Sequence, residues 1–176
     1  MKQSKQRQTW ETAGLFVTLL VGNTLHFVYD WAGQAKWAAY IAAVNESTWE
    51  HMKLLAVPWV VWTAVMGIVL RDAGVIAGRT AGLLAGLAAI PVLFYTYTGA
   101  LGVSEDVVNV AIFQVAALLA WWVSRRVQRR NGLSSPLWAV GGIVVLLGLA
   151  ALFIMWTVAP PDLPLFTDPL DGTRGR

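Results

Sequence analysis

Five apolar runs of about 20 residues constrain this chain more than any other feature, because each is long enough to cross a hydrocarbon core at 1.5 Å per helical residue. They lie at about 9–31, 51–70, 75–99, 104–123 and 135–158. Backbone polar groups in lipid must be satisfied within their own segment, so runs of this kind read as helices. The expected fold class is therefore all-α, an integral membrane bundle of five transmembrane helices. The first run does not read as a cleavable signal peptide: it is long, it is interrupted by Asn23 and His26, and no small-x-small cleavage pattern follows it. Residues 1–158 are expected to form one transmembrane domain, with 159–176 as an external Pro/Asp-rich C-terminal tail. Between the first two runs, Trp37, Tyr40, Ile41 and Val44 repeat at i, i+3, i+4 and i+7, which predicts a short amphipathic helix at about 34–44 lying in the outer interface.

Orientation follows from Lys and Arg, which accumulate in cytoplasmic loops. Nine of the thirteen basic residues fall on the side of the N-terminus: Lys2, Lys5 and Arg7 in the N-terminal tail, Arg71 and Arg79 in a 71–79 loop, and Arg125, Arg126, Arg129 and Arg130 in a 124–133 loop. Lys36, Lys53, Arg174 and Arg176 fall on the other. This places the N-terminus in the cytoplasm and the C-terminus outside, in the cytoplasmic (inner) membrane of a prokaryote. The same distribution argues against nucleic acid as a partner, since the basic residues sit beside helix ends where anionic headgroups account for them.

Composition narrows the available chemistry. Only 13% of the 176 residues are charged and 57% are hydrophobic, against about 25% charged in a soluble domain. No stretch is left for a separate soluble catalytic domain, so a site must be built from helices and short loops. With no cysteine in the chain, thiolate nucleophiles, disulfides and Cys-ligated metal sites are excluded. Histidine, carboxylate, amide and hydroxyl groups remain.

Ionisable groups at membrane depth are costly, so their positions carry information. Asn23, His26 and Asp30 form a stripe at i, i+3 and i+7 on the first helix. Glu46 and Glu50 lie four apart at the start of the second span, flanked by Asn45 and His51. Glu105, Asp106 and Asn109 open the fourth span, and Tyr95 and Tyr97 close the third. Of ten acidic residues only Glu11 and Asp72 fall on the cytoplasmic side, and both histidines fall on the outer one. Ser135-Pro136 and Ser104-Glu105-Asp106 mark helix starts. Pro58 and Pro91 interrupt the second and third spans, predicting kinks. Gly78, Gly82 and Gly86 recur every four residues, a stripe suited to close packing against a neighbouring helix.

The segment Asn45-Glu46-Ser47-Thr48-Trp49-Glu50-His51-Met52-Lys53-Leu54, taken with His26 and Asp106, resembles an uncharacterised (domain of unknown function) family of small bacterial and archaeal membrane proteins. That family carries an Asn-Glu-Ser-x-Trp-Glu-His-x-Lys-Leu motif. The resemblance implies a shared fold and a shared polar site, and no activity.

Three readings of the polar residues stand side by side. Ser47-Thr48-Trp49-Glu50 has the form of a capping box, with Trp49 as an interfacial anchor and Lys53 snorkelling outward. That reading makes the protein a scaffold, and leaves Asn45, Glu46 and His51 unexplained. Two histidines with carboxylates and no thiols also form a ligand set for a divalent metal, zinc being the most plausible. Here His26, His51, Asp30 and Asp106 are candidate ligands, Glu50 and Glu46 candidate catalytic acids or bases, and Asn23, Asn45 and Asn109 further polar groups; the chemistry would be hydrolysis of a lipid or envelope substrate. A proton or cation pathway is the third reading, but the cytoplasmic halves offer little beyond Thr18, Thr63 and Gln114.

Overall fold

The computed structural model describes residues 2–130 and 135–175, excluding the side chains of residues 2 and 3. The end of the 124–133 loop, Arg176 and the Lys2 side chain, all used above for orientation, lie outside the described residues. Five helices are long and apolar enough to cross a membrane, and they make this a multi-pass membrane protein. They are α1 (Lys2–Trp31), α3 (Thr48–Leu70), α4 (Ala73–Leu101), α5 (Asp106–Gln128) and α6 (Pro136–Val158), with one turn, α2 (Lys36–Ala39), between the first two. Each contains most of its predicted run, but α1 begins seven residues before it and α5 runs five residues beyond it.

Helix starts follow local chemistry. Ser47 accepts a hydrogen bond from the Glu50 amide, Asp72 from Gly74 and Ser135 from Leu137, each satisfying an otherwise unpaired first-turn donor. At its far end α4 stops on Gly102, at φ 71°, a left-handed conformation open to glycine without a Cβ clash. Pro58 and Pro91 both lie inside continuous helices.

Four helices close a ring in the order α1, α3, α4, α5, and α6 packs outside it, mainly on α4. The glycine stripe does what its spacing predicts. A Cβ at Gly78, Gly82 or Gly86 would press on the backbone carbonyls of Ser124, Ala120 or Ala116 in α5, so these glycines let the two helices touch backbone to backbone. At one end of this seam a buried ionic cluster joins all four ring helices. Arg79 donates to Glu11 (3.1 Å) and to Thr63 (2.8 Å) and stacks over Trp59 at 3.9 Å, while Ser124 and Gln128 donate to the other Glu11 oxygen. Arg79 was assigned to a polar loop by the charge count; it sits instead in the second turn of α4, fully buried.

The segment expected as an interfacial helix at about 34–44 is helical for four residues only. Two side chains of α3 take the backbone groups that would extend it: Lys53 Nζ donates to the Ala39 carbonyl at 2.8 Å, and Glu50 Oε2 accepts from the Val44 amide at 3.0 Å. Ala38, Ala39, Ala42 and Ala43 face the bundle, whereas Trp37, Tyr40 and Ile41 face away from it.

Residues after α6 fold back as a cap. A 3₁₀ turn (Pro164–Phe166) buries Phe166 against Trp49 and Trp156, with ring centroids at 5.0 and 5.4 Å. A bridge between Thr167 and Arg174 and a hydrogen bond from Asp168 N to Thr173 O close the remaining turn.

Candidate functional site

At the end of the ring carrying this cap, α1, the loop before α3, and the first turns of α3 and α5 converge. His26 comes from the last turns of α1, Glu46 from the loop and His51 from the first turn of α3. One ligating atom from each lies within 4.8 Å of the others. Glu46 stands between the histidines: Oε1 is 3.7 Å from His26 Nε2 and Oε2 is 3.4 Å from His51 Nε2, and the rings are 5.3 Å apart centre to centre. These separations exceed hydrogen-bond length. They run to the two different oxygens of one carboxylate, and they bring an atom of each ring and of the carboxylate close enough to approach a common ion.

Supporting contacts orient two of the three. His51 Nδ1 lies 3.0 Å from the Ser47 carbonyl; a proton held there leaves Nε2 as the free lone pair facing Glu46. The Glu46 amide donates to Asp168 of the folded tail at 2.8 Å, and the Asn45 side-chain amide donates to the Gly175 carbonyl at 3.3 Å. The tail therefore fixes the loop that presents Glu46. His26 has no such support among the described residues: its Nδ1 is buried without a hydrogen-bond partner, beside the edge of Phe27.

A cavity of about 290 Å³ opens in front of the three side chains, lined on its polar wall by Asn23, Asp106 and Asn109 and on its apolar wall by Phe27, Leu54, Val110 and Phe113. Asn109 is held by the Tyr97 hydroxyl at 2.6 Å, and Asn23 accepts from Gln114 at 3.3 Å. Asp106 stands on the cavity wall outside the three-residue group.

The other sequence candidates are placed elsewhere. Asp30 is exposed and outside the group of close ligating atoms, because i+7 from Asn23 carries it past the end of the cavity wall. Glu50 is buried behind the site: it pairs with Lys53 and accepts from Val44 N (3.0 Å) and from the Thr157 hydroxyl (3.2 Å). Its carboxylate has a structural load and does not line the cavity. The capping box is half realised, since Ser47 caps Glu50 but the Glu50 carboxylate turns to Val44, and Asn45 Oδ1 takes the Ser47 amide at 3.0 Å. Lys53 does not snorkel; it is fully buried, donating also to Thr157 at 3.0 Å. Trp49 packs inside, against Phe153, Trp156 and Phe166. Asp168, absent from the candidates, carries a sequence signal in Asp168-Pro169-Leu170-Asp171-Gly172, a run of turn formers that marks an ordered tail.

The description of one protein family, "family of unknown function (DUF6512)", matches residues 1–176. The chain belongs to that family. The match covers the tail as well as the helices, in keeping with a cap that is part of the fold. No curated protein and no solved structure matches the chain.

Proposed function

We propose that His26, Glu46 and His51 bind a divalent cation, zinc by ligand preference, at the extracytoplasmic end of the bundle, and that the site hydrolyses an ester bond of a lipid or other envelope-associated amphiphile. The observation that carries the reading is that one ligating atom from each of His26, Glu46 and His51 lies within 4.8 Å of the others, with Glu46–histidine separations of 3.7 and 3.4 Å that are longer than ordinary hydrogen bonds. Three protein ligands beside an open cavity would suit a catalytic zinc, which keeps one position for water or substrate, better than a structural one. A bound ion would supply an activated water and polarise the scissile group. Asp106, on the cavity wall, takes the role of general base in place of Glu50. The water oxygen bonds to the ester carbon or phosphorus, its proton passes to the Asp106 carboxylate, and the departing alkoxide collects that proton as the ester bond breaks.

The lipid assignment rests on the shape of the cavity. Its polar wall sits at the helix ends, and its apolar wall includes Phe27 on α1 and Val110 on α5, both 51% exposed on the outer surface of the bundle. An amphiphile entering between α1 and α5 meets the ligands with its polar group while its chain stays in the bilayer. Residues 1–158 act as the membrane domain, with 159–176 as the cap that steadies Glu46.

Metal analysis of the detergent-purified protein tests the reading. One divalent ion per chain is expected in wild type, and its loss in His51→Ala, His26→Ala and Glu46→Gln with helical content preserved. A wild type without stoichiometric metal overturns it. Hydrolysis is then read on ester-linked phospholipids, and is expected to vanish in Asp106→Asn while the ion is retained.

A further inference from the structure

The opposite end of the bundle carries a second, chemically different cavity. It measures about 240 Å³ and lies between the first turns of α1 and the last turns of α5, with Arg7, Arg125 and Arg129 among its lining residues. A shallower one of about 200 Å³ shares Arg125 and Arg129 and adds Arg126, Trp121 and Trp122. Together they form one basic surface around the C-terminal end of α5. The acids nearby are already committed. Glu11, which also lines the deeper cavity, is buried and paired with Arg79, and Asp72 is paired with Arg7. Among the described residues no carboxylate is paired with Arg125, Arg126 or Arg129.

What holds two of these guanidinium groups is aromatic. Arg125 lies over the Trp121 ring at 4.6 Å and Arg126 over Trp122 at 5.1 Å. Stacking on a ring face fixes the plane of a guanidinium and leaves its N–H edge free to donate, the arrangement suited to a phosphate taken by two parallel hydrogen bonds. Tryptophans at a helix end also mark the headgroup level of a bilayer, and half of Trp122 is exposed on the outer face. A headgroup layer at the level of these tryptophans would put the arginines at the depth of lipid phosphates.

We infer that this basic surface is a binding site for the phosphate of an anionic phospholipid, held by Arg125 and Arg129 with Arg126 at its rim. The site is independent of the metal centre. A free phosphate ion shares the recognition chemistry but lacks acyl chains, and Trp121 and Trp122 border the surface on the side that such chains would occupy.

Native mass spectrometry of the full-length protein, released from micelles containing equal phosphatidylglycerol and phosphatidylcholine, provides the test. Phosphatidylglycerol adducts are expected to outlast phosphatidylcholine adducts, and their affinity to fall about fivefold for each arginine removed in Arg125→Gln and Arg129→Gln. Arg130→Gln, which removes the same charge outside both cavities, should leave the adducts intact. Equal loss in Arg130→Gln overturns the site in favour of diffuse surface charge. Displacement of the lipid by equimolar inorganic phosphate overturns the lipid assignment. If the variants do not fold, wild type alone decides, since equal retention of the two lipids refutes the proposal.

Discussion

Glu46 and Glu50 lie four residues apart, and the fold separates their roles so far that they should fail in different assays. Lys53→Met isolates the structural half. Lys53 is 0% and Glu50 1% exposed, and removing the lysine leaves the Glu50 charge buried and strips the Ala39 carbonyl of its donor. Breaking a buried pair from one side costs about 3–5 kcal/mol, mainly because the other charge is left uncompensated. That is about a 10²–10⁴-fold change in the ratio of folded to unfolded protein. The double variant Lys53→Met/Glu50→Gln removes both charges and keeps an acceptor for the Val44 amide. It should recover about 1–3 kcal/mol of the loss as coupling between the two sites. Denaturant unfolding in micelles, followed by helical circular dichroism, reads both quantities, and the bound ion should persist in every variant that folds. A cost for Lys53→Met within about 1 kcal/mol, as for an exposed pair, would refute the reasoning. So would loss of the ion in Glu50→Gln at an unchanged unfolding midpoint.

Asp168→Ala removes the acceptor of the Glu46 and Leu170 amides without touching a ligand; metal affinity should weaken about 10–100-fold, as for other supporting contacts, in a chelator competition assay, with a loss of about 1–3 kcal/mol in unfolding. Gly82→Ala presses a methyl on the Ala120 carbonyl and should cost about 1–3 kcal/mol, whereas Gly148→Ala, in open space on α6, should be neutral or add up to about 1 kcal/mol; thermal unfolding separates the two. In the tail, the Thr173 hydroxyl and then its amide hold the Asp171 carboxyl below its ordinary value of 3.8. A depressed carboxyl contributes stability that is present above the unfolded value and lost as pH falls through the folded one. The Thr173 amide should therefore keep its hydrogen-exchange protection at neutral pH and lose it only below about pH 3.8.

The helices were legible because their cause is local. Length, apolarity and the caps at Ser47, Asp72 and Ser135 are written in consecutive residues, and so is the four-residue glycine repeat that brings α4 against α5. The inward face of residues 36–43 was not legible in the same way. Periodicity picked out Trp37, Tyr40 and Ile41 as the apolar face of an interfacial helix, and they do face away from the bundle; the alanines between them, which carry no signal of size, are what fit against it. Arg79 was misplaced for a related reason: a basic residue near a helix start is read as loop charge unless its partner is visible, and Glu11 is 68 residues away.

The convergence of polar residues was legible in part and not in its arrangement, since Asp30 and Glu50 fall outside it. His26, Glu46, His51, Asp106 and Asn109 all belong to the convergence the sequence pointed to, since topology alone brings those helix ends together. Which acid meets the histidines depends on something the spacing does not contain. Glu46 precedes the helix, and its loop is held by the tail through Asp168; Glu50, in the first turn of α3, turns to Lys53 and Thr157 instead. A helical reading of 46–50 puts both carboxylates on one face, and that assumption fails because α3 begins at Thr48. The helix start therefore decides which acid faces the histidines. Moving it by one turn would place Glu46 beside Glu50 and leave the two histidines without a shared carboxylate.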